Sequence, residues 1–265
     1  MGRRADAQRD DDQAAGLRRL FTRSAPCFVP LVANPQVGGF GGVVLERLTT
    51  TFALGRVPVL LVDAASNSPV PSDLSVLELG GCIERLDEHT HYLAARGLPR
   101  RHVDSRGSAH GLLGALMQAA PGAAAVVVHA DPTDLVRVFH DTAVRPLLLT
   151  GDRVESVKHA YAAAKLLVQR ARLAHFDLLM CAAASRHARA VRTSLTNCLE
   201  GFIGAVLHGF AQIDPATDVA EPPSDELRNL LGDQLHHSLL AQHESSPHQR
   251  MHPMHHSHAW QATTT

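Results

Sequence analysis

Four glycines fall within the seven residues Val37-Gly38-Gly39-Phe40-Gly41-Gly42-Val43, between an apolar run and a helical pattern. Glycine lets backbone N–H groups turn toward a ligand, and the start of a helix favours an anion, so this is where phosphate would bind. A loop that works on nucleotide phosphates also needs a lysine for the phosphates and a Ser or Thr hydroxyl for Mg²⁺. This one has neither. The plain alternative is a tight strand-to-helix turn. A second candidate precedes it. In Asp12-Gln13-Ala14-Ala15-Gly16-Leu17-Arg18-Arg19-Leu20-Phe21, helical spacing puts Ala14, Leu17 and Phe21 on one face, with Arg18 and Arg19 free to meet carboxylates or phosphates. Gln13 is an uncharged donor and acceptor, the type of side chain that positions an attacking water in a GTPase. A third candidate is the run of histidines at 236, 237, 243, 248, 252, 255, 256 and 258. Imidazole binds Ni²⁺, Cu²⁺ and Zn²⁺. The spacing is irregular and no cysteine or carboxylate cluster joins it, so no residue is assigned as a metal ligand.

The elements that must position these groups alternate between short apolar runs and helical patterns. Strands are predicted at 28–33, 57–62, 124–128, 144–149, 176–181 and 205–209, with a further one at 91–94. Helices are predicted at 43–54, 108–119, 132–139, 154–172 and 187–202, and residues 34–42 read as a glycine-rich loop. Strand–helix alternation predicts an α/β domain of three layers with a mostly parallel sheet. The unbroken apolar character of Val126-Val127-Val128 and Leu147-Leu148-Leu149 predicts strands buried on both faces. Residues 66–107 are rich in turn formers and give little periodicity. No internal repeat is present. Pro222-Pro223 marks the end of the domain, and Leu227, Leu230, Leu231, Leu235 and Leu239 then recur at helical spacing over 224–242.

Bulk properties narrow the function classes. At 265 residues, 45% hydrophobic and 19% charged, the chain can bury a substantial core. A formal net charge of -1 gives no electrostatic reason to expect a nucleic-acid partner. No apolar run approaches the ~20 residues of a membrane span. Cys27, Cys82, Cys181 and Cys198 are scattered without a CxxC pair, which argues against a zinc knuckle or a disulfide frame and for a reduced, cytoplasmic setting.

Residues 28–65, from Phe28-Val-Pro-Leu-Val-Ala to Leu60-Leu-Val-Asp63-Ala-Ala65, resemble the opening of the MinD/ParA-type P-loop ATPases. That opening runs strand, KGGxGKT, helix, and a strand ending in D-A-D. Aligned on the glycines, the resemblance places the family's signature lysine at Val37, its phosphate lysine at Gly42 and its Mg²⁺-binding threonine at Val43. Asp63 keeps the first acid of D-A-D and Ala65 replaces the catalytic second. His129 stands where the family has a Mg²⁺-linked aspartate, with Asp131 displaced beside it. Asp152-Arg-Val-Glu-Ser156, Ala160-Tyr161 and Lys165-Leu166 are similar to a later family segment, and Cys181 falls where an adenine-reading asparagine belongs. The N-terminal Asp12-Gln13-Ala14-x-x-Leu17-Arg18 matches the D-Q-A-x-x-L-R segment of the flagellar-number regulators of the FlhG (FleN) type. In that family the segment is a short helix that docks on the SRP-type GTPase FlhF and stimulates GTP hydrolysis.

The resemblance implies a SIMIBI-class P-loop NTPase-like domain at 25–221, preceded by a partner-binding arm at 1–24. An amphipathic helix at 222–242 and a disordered His-rich tail at 243–265 follow. It implies a regulator of flagellar number or placement that acts through FlhF, with basal-body components as further candidate partners. Losing one oxyanion-type donor costs about 10²–10³ in rate, and here several charged groups are gone together, so no ATPase activity is expected and no residue is assigned a catalytic role. No cofactor is expected, with weak ATP or ADP binding left open. The position of the 222–242 helix matches a membrane-targeting helix of the family, but its polar face carries Asp225, Glu226 and Asp233 against Arg228 alone. Anionic lipid attracts basic faces, so packing on the domain is the expectation, with recruitment to the pole or membrane left to a partner. The alternatives are an active ParA/MinD-type ATPase and a nickel- or copper-handling protein that uses its His-rich tail.

Overall fold

The computed structural model describes residues 25–72 and 78–245. Apolar runs become the strands β1 (Cys27–Val32), β2 (Val59–Asp63), β5 (Ala125–Ala130), β6 (Leu147–Thr150) and β7 (His175–Cys181). The short β3 (Glu84–Arg85), β4 (Thr90–Ala94) and the edge strand β8 (Val206–Ile213) complete one sheet in the order β3-β4-β2-β5-β1-β6-β7-β8. All neighbours run parallel except β3 with β4. β1, β2 and β5 are aligned so that Val32 and Asp63 lie beside Ala130 and His129 at their carboxyl ends.

Two helical layers cover the sheet. On one face, α1 (Gly41–Leu54) packs Val44, Leu48 and Phe52 against Val29, Leu31, Leu61 and Val127. Beside it lies α7 (Asp225–Ser245), with Leu227, Leu230, Leu231 and Leu235 in the same core. Each fully buried leucine is worth about 1.5–3 kcal/mol relative to exposure, which holds α7 on the sheet. On the other face lie α2 (Leu98–Arg101), α3 (Gly111–Ala119), α4 (Pro132–Phe139), α5 (Val154–Ala171) and α6 (Arg186–Ile203), around Val62, Val128, Leu148 and Leu178. Among the described residues no helix is long and apolar enough to cross a membrane.

Departures from the predicted elements have local causes. β6 begins at Leu147 rather than 144 because Pro146 has no N–H to give a ladder. β8 runs on to Ile213, past the predicted end at 209. Gly209 disguised it, since glycine in a strand usually marks an end, a bulge or a close approach. Here it is a bulge and a close approach together: the register slips by one residue between the pairs Phe176–Leu207 and Leu178–Phe210, and a Cβ at 209 would stand 2.4 Å from Leu230 Cδ1 and 2.8 Å from Asp177 Oδ1. α6 opens one residue earlier than predicted because Ser185 caps it, its hydroxyl accepting from Ala188 N at 3.0 Å. β3 and α2 are too short for periodicity to register.

Candidate functional site

The glycine segment follows β1 at the carboxyl edge of the sheet, where open α/β sheets bind ligands. The glycine-rich loop predicted at 34–42 is largely helical instead. Pro35–Phe40 form two short 3₁₀ turns broken at Gly38, and α1 already begins at Gly41. Gly38 has φ 69° and ψ -140°, a backbone that only glycine adopts without strain. Side chains at Gly39, Gly41 and Gly42 would meet nothing within 4 Å, so crowding does not require those three glycines. Asn34 pins the turn. Its Oδ1 accepts from Gln36 N at 3.1 Å, and its Nδ2 donates to Leu149 O at 2.8 Å and Ser156 O at 3.0 Å. Ser156 Oγ accepts from Gly151 N at 2.7 Å, which ties the turn to the segment after β6.

The positions aligned with the two lysines, the threonine and the second acid of D-A-D are each occupied by something else. Val37 is only 7% exposed and belongs to the core beneath α1, while Phe40 is 49% exposed. Gly42 and Val43 form the first turn of α1, and Val43 packs against that same core. Ala65 is fully buried.

Asp63 is committed inward. At the end of β2 its Oδ1 lies 2.7 Å from His129 Nδ1 at the end of β5. Ser68 Oγ also donates to Oδ1, and Tyr92 OH reaches Oδ2 at 3.4 Å. Burial alone would raise the Asp63 pKa, but the hydrogen bonds of His129 and Ser68 and the charge of His129 outweigh it and hold the carboxyl below its ordinary range. An ionised carboxylate can only accept, so His129 Nδ1 carries the proton in this pair. The same interaction, after burial, pushes the Tyr92 phenol up to about 12. Asp131, the displaced acid, accepts from Ser66 N at 3.4 Å and Ser66 Oγ at 3.3 Å. Asp63 and Asp131 thus bond to different partners, and among the described residues no group of three or more His, Cys, Asp or Glu is placed to hold a metal ion.

Further along the same edge, Cys181 is a buried thiol pushed up to about 11, first by burial and then by the charges of Asp214 and Asp152. Beyond β8 lies a cavity of about 210 Å³ lined by Arg47, Gln212, Asp214, Thr217, Glu221 and Leu227. The Arg47 guanidinium donates to Glu221 O at 2.7 Å, Thr217 O at 3.0 Å and Asp218 O. Sequence reading missed Asn34, Ser68, Arg47 and Tyr92. Asn34, directly after an apolar run, carried the one available signal, that of a side chain that caps turns. Asp12, Gln13, Ala14, Leu17, Arg18 and Phe21 lie outside the described residues.

This three-layer α/β domain has the fold of solved MinD- and ParA-type proteins. The chain is similar to the MinD cell division protein of Aquifex aeolicus, with a TM-score of 0.51 and 15% identity over 77% of this chain and 96% of that one. It is also similar to a putative plasmid partition protein from Borrelia burgdorferi bound to AMPPNP, with a TM-score of 0.54 and 11% identity over 79% and 98% of the two chains. Apo McdA from Cyanthece gives a TM-score of 0.51 and 10% identity over 82% and 98%. At such identities the likeness is one of fold. No known family's sequence profile and no curated protein sequence matches the chain.

Proposed function

We propose that this chain is a regulatory interaction protein of the FlhG type, built on a MinD/ParA-like domain that does not hydrolyse ATP and acting on an SRP-type GTPase of the FlhF kind. The observation that carries this reading is an asymmetry within one chain. Val37, Gly42, Val43 and Ala65 occupy the positions of the lysines, the threonine and the catalytic aspartate, whereas Asp12, Gln13, Ala14, Leu17 and Arg18 of the partner motif all remain. The burial of Val37 and the pairing of Asp63 with His129 support it, because both take the place of groups that would face phosphate and Mg²⁺. In this reading Leu17 and Phe21 anchor the helix in a groove of the partner, Arg18 holds its orientation, and Gln13 reaches the water that attacks GTP. Function in flagellar number or placement, with recruitment to the pole by the partner, follows from the same resemblance.

The test is GTP turnover by the cognate FlhF-like GTPase, alone and with the full-length chain, its Gln13→Ala variant, or a peptide of residues 8–22. The expected result is stimulation by the chain and by the peptide, with Gln13→Ala losing stimulation while calorimetry shows binding retained. If the full-length chain stimulates and the peptide neither binds nor stimulates, the acting surface lies elsewhere on the domain. If the chain has no effect and instead turns over ATP, it is an active ParA/MinD-type ATPase.

A further inference from the structure

Far from the glycine turn, a buried ion pair in the sheet, Arg145 with Asp177, also holds the C-terminal helix through Gln234. Asp177, in the middle of β7, is fully buried. Its Oδ2 accepts from Arg145 Nε at 2.8 Å and from Gln234 Nε2 of α7 at 2.6 Å, and its Oδ1 accepts from Gly209 N of β8 at 2.6 Å. Gln234 Nε2 also donates to the Arg145 carbonyl at 2.8 Å. One carboxylate therefore holds the segment before β6, the strand β8 and the helix α7 together.

Three imidazoles from three elements rim this pair. His175 opens β7, His208 lies in β8, and His237 lies three residues after Gln234, on the same side of α7. His175 Nδ1 and His208 Nε2 lie 2.8 Å apart, with ring centroids 5.1 Å apart. At that distance one nitrogen must donate and the other accept, so the contact cannot survive protonation of both rings. The charged groups near His208 and His237 are the Arg145 guanidinium, the other imidazoles and, opposing them, Asp177, whose carboxylate is already taken up by three hydrogen bonds. Burial first, and then Arg145, hold both imidazoles below their ordinary value of 6.5. The sign follows from the direction. Histidines lowered by folding are neutral in the folded protein above that value, and the stability they permit is lost as the pH falls through their lowered folded values.

We propose that His175, His208 and His237 form an acid-responsive clasp that releases α7 from the sheet while the rest of the domain stays folded. Protonation of His208 and His237 places one positive charge on the sheet and one on the helix, both close to the Arg145 guanidinium. Repulsion of that kind acts across the α7–β8 boundary, where Gln234 is tethered. Release uncovers Leu227, Leu230, Leu231 and Leu235 as one apolar face.

Hydrogen exchange of the full-length chain at pH 7.5 and pH 5.5, corrected for intrinsic rates, tests this. The expected result is at least a tenfold loss of protection across 225–241 at the lower pH, with β1 and β5 unchanged. The variant H175Q/H208Q/H237Q should keep α7 protected at both values, and His208→Gln alone should move the loss to lower pH. Unchanged wild-type protection at pH 5.5, loss of protection by the whole domain together, or an equal loss in the histidine variants would overturn the proposal.

Discussion

His129 Nδ1 stands 2.7 Å from Asp63 Oδ1, joining the carboxyl ends of β5 and β2 across 66 residues of sequence. The residue at the position that the family resemblance assigns to a Mg²⁺-linked aspartate is here hydrogen-bonded to the retained first acid of D-A-D. The pair closes on itself: a nitrogen donor and its carboxylate satisfy one another within the protein, with Ser68 and Tyr92 adding further hydrogen bonds to the carboxylate.

Replacing His129 with alanine leaves Asp63 short of its strongest partner. Hydrogen bonds to charged groups contribute about 1.5–3 kcal/mol, and a loss in that range is expected in urea unfolding at pH 7. Acid gives a second readout. Because the folded Asp63 pKa is lowered from 3.8, its contribution is present above that value and lost as the pH falls through the lowered one. The stability difference between wild type and Asp63→Asn should therefore narrow below about pH 3.8. A difference that grows on acidification would contradict the assignment.

Val37→Lys puts back the residue type that the resemblance calls for at this position. Val37 packs into the core under α1, so the substitution forfeits a buried valine, worth about 1.5–3 kcal/mol, and desolvates an ammonium as well. Thermal melts should show a clear loss of stability, and the variant should gain no ATPase activity. A variant as stable as wild type would mean that the turn presents residue 37 outward.

Gly209→Ala probes the joint between β8 and α7. Its Cβ would meet Leu230 Cδ1 and Asp177 Oδ1 at 2.4 and 2.8 Å. Overpacking of this kind typically costs about 1–3 kcal/mol, and the loss should appear in denaturant midpoints. Gly42→Ala, by contrast, meets open space and should leave stability within about 0.5 kcal/mol of wild type. Equal effects at the two glycines would overturn this distinction.

The parallel strands were legible because Phe28 to Val32, Val126 to Val128 and Leu147 to Leu149 are apolar on both faces, a pattern that only a covered sheet tolerates. The leucines of α7 were legible for the same reason, at helical period. The polar joints were not. Arg145, Asp177 and Gln234 meet over separations of 32 to 89 residues, and Arg47 reaches the carbonyls of 217–221 from 170 residues away or more. Nothing in the local spacing of these residues announces a contact set by the register of strands and helices. At the candidate site, sequence located the glycine turn and Asp63. It did not foresee that His129 would bond to Asp63.

The most direct measurement is steady-state ATP turnover by the full-length protein with Mg²⁺, followed by phosphate release. No turnover above the buffer background is expected, because Gly42, Val43 and a buried Ala65 stand at the phosphate, metal and catalytic positions and Asp63 is already bonded to His129. Mg²⁺-dependent hydrolysis at the rate of an ordinary MinD-type ATPase, lost when Gly41 and Gly42 are both replaced, would contradict it.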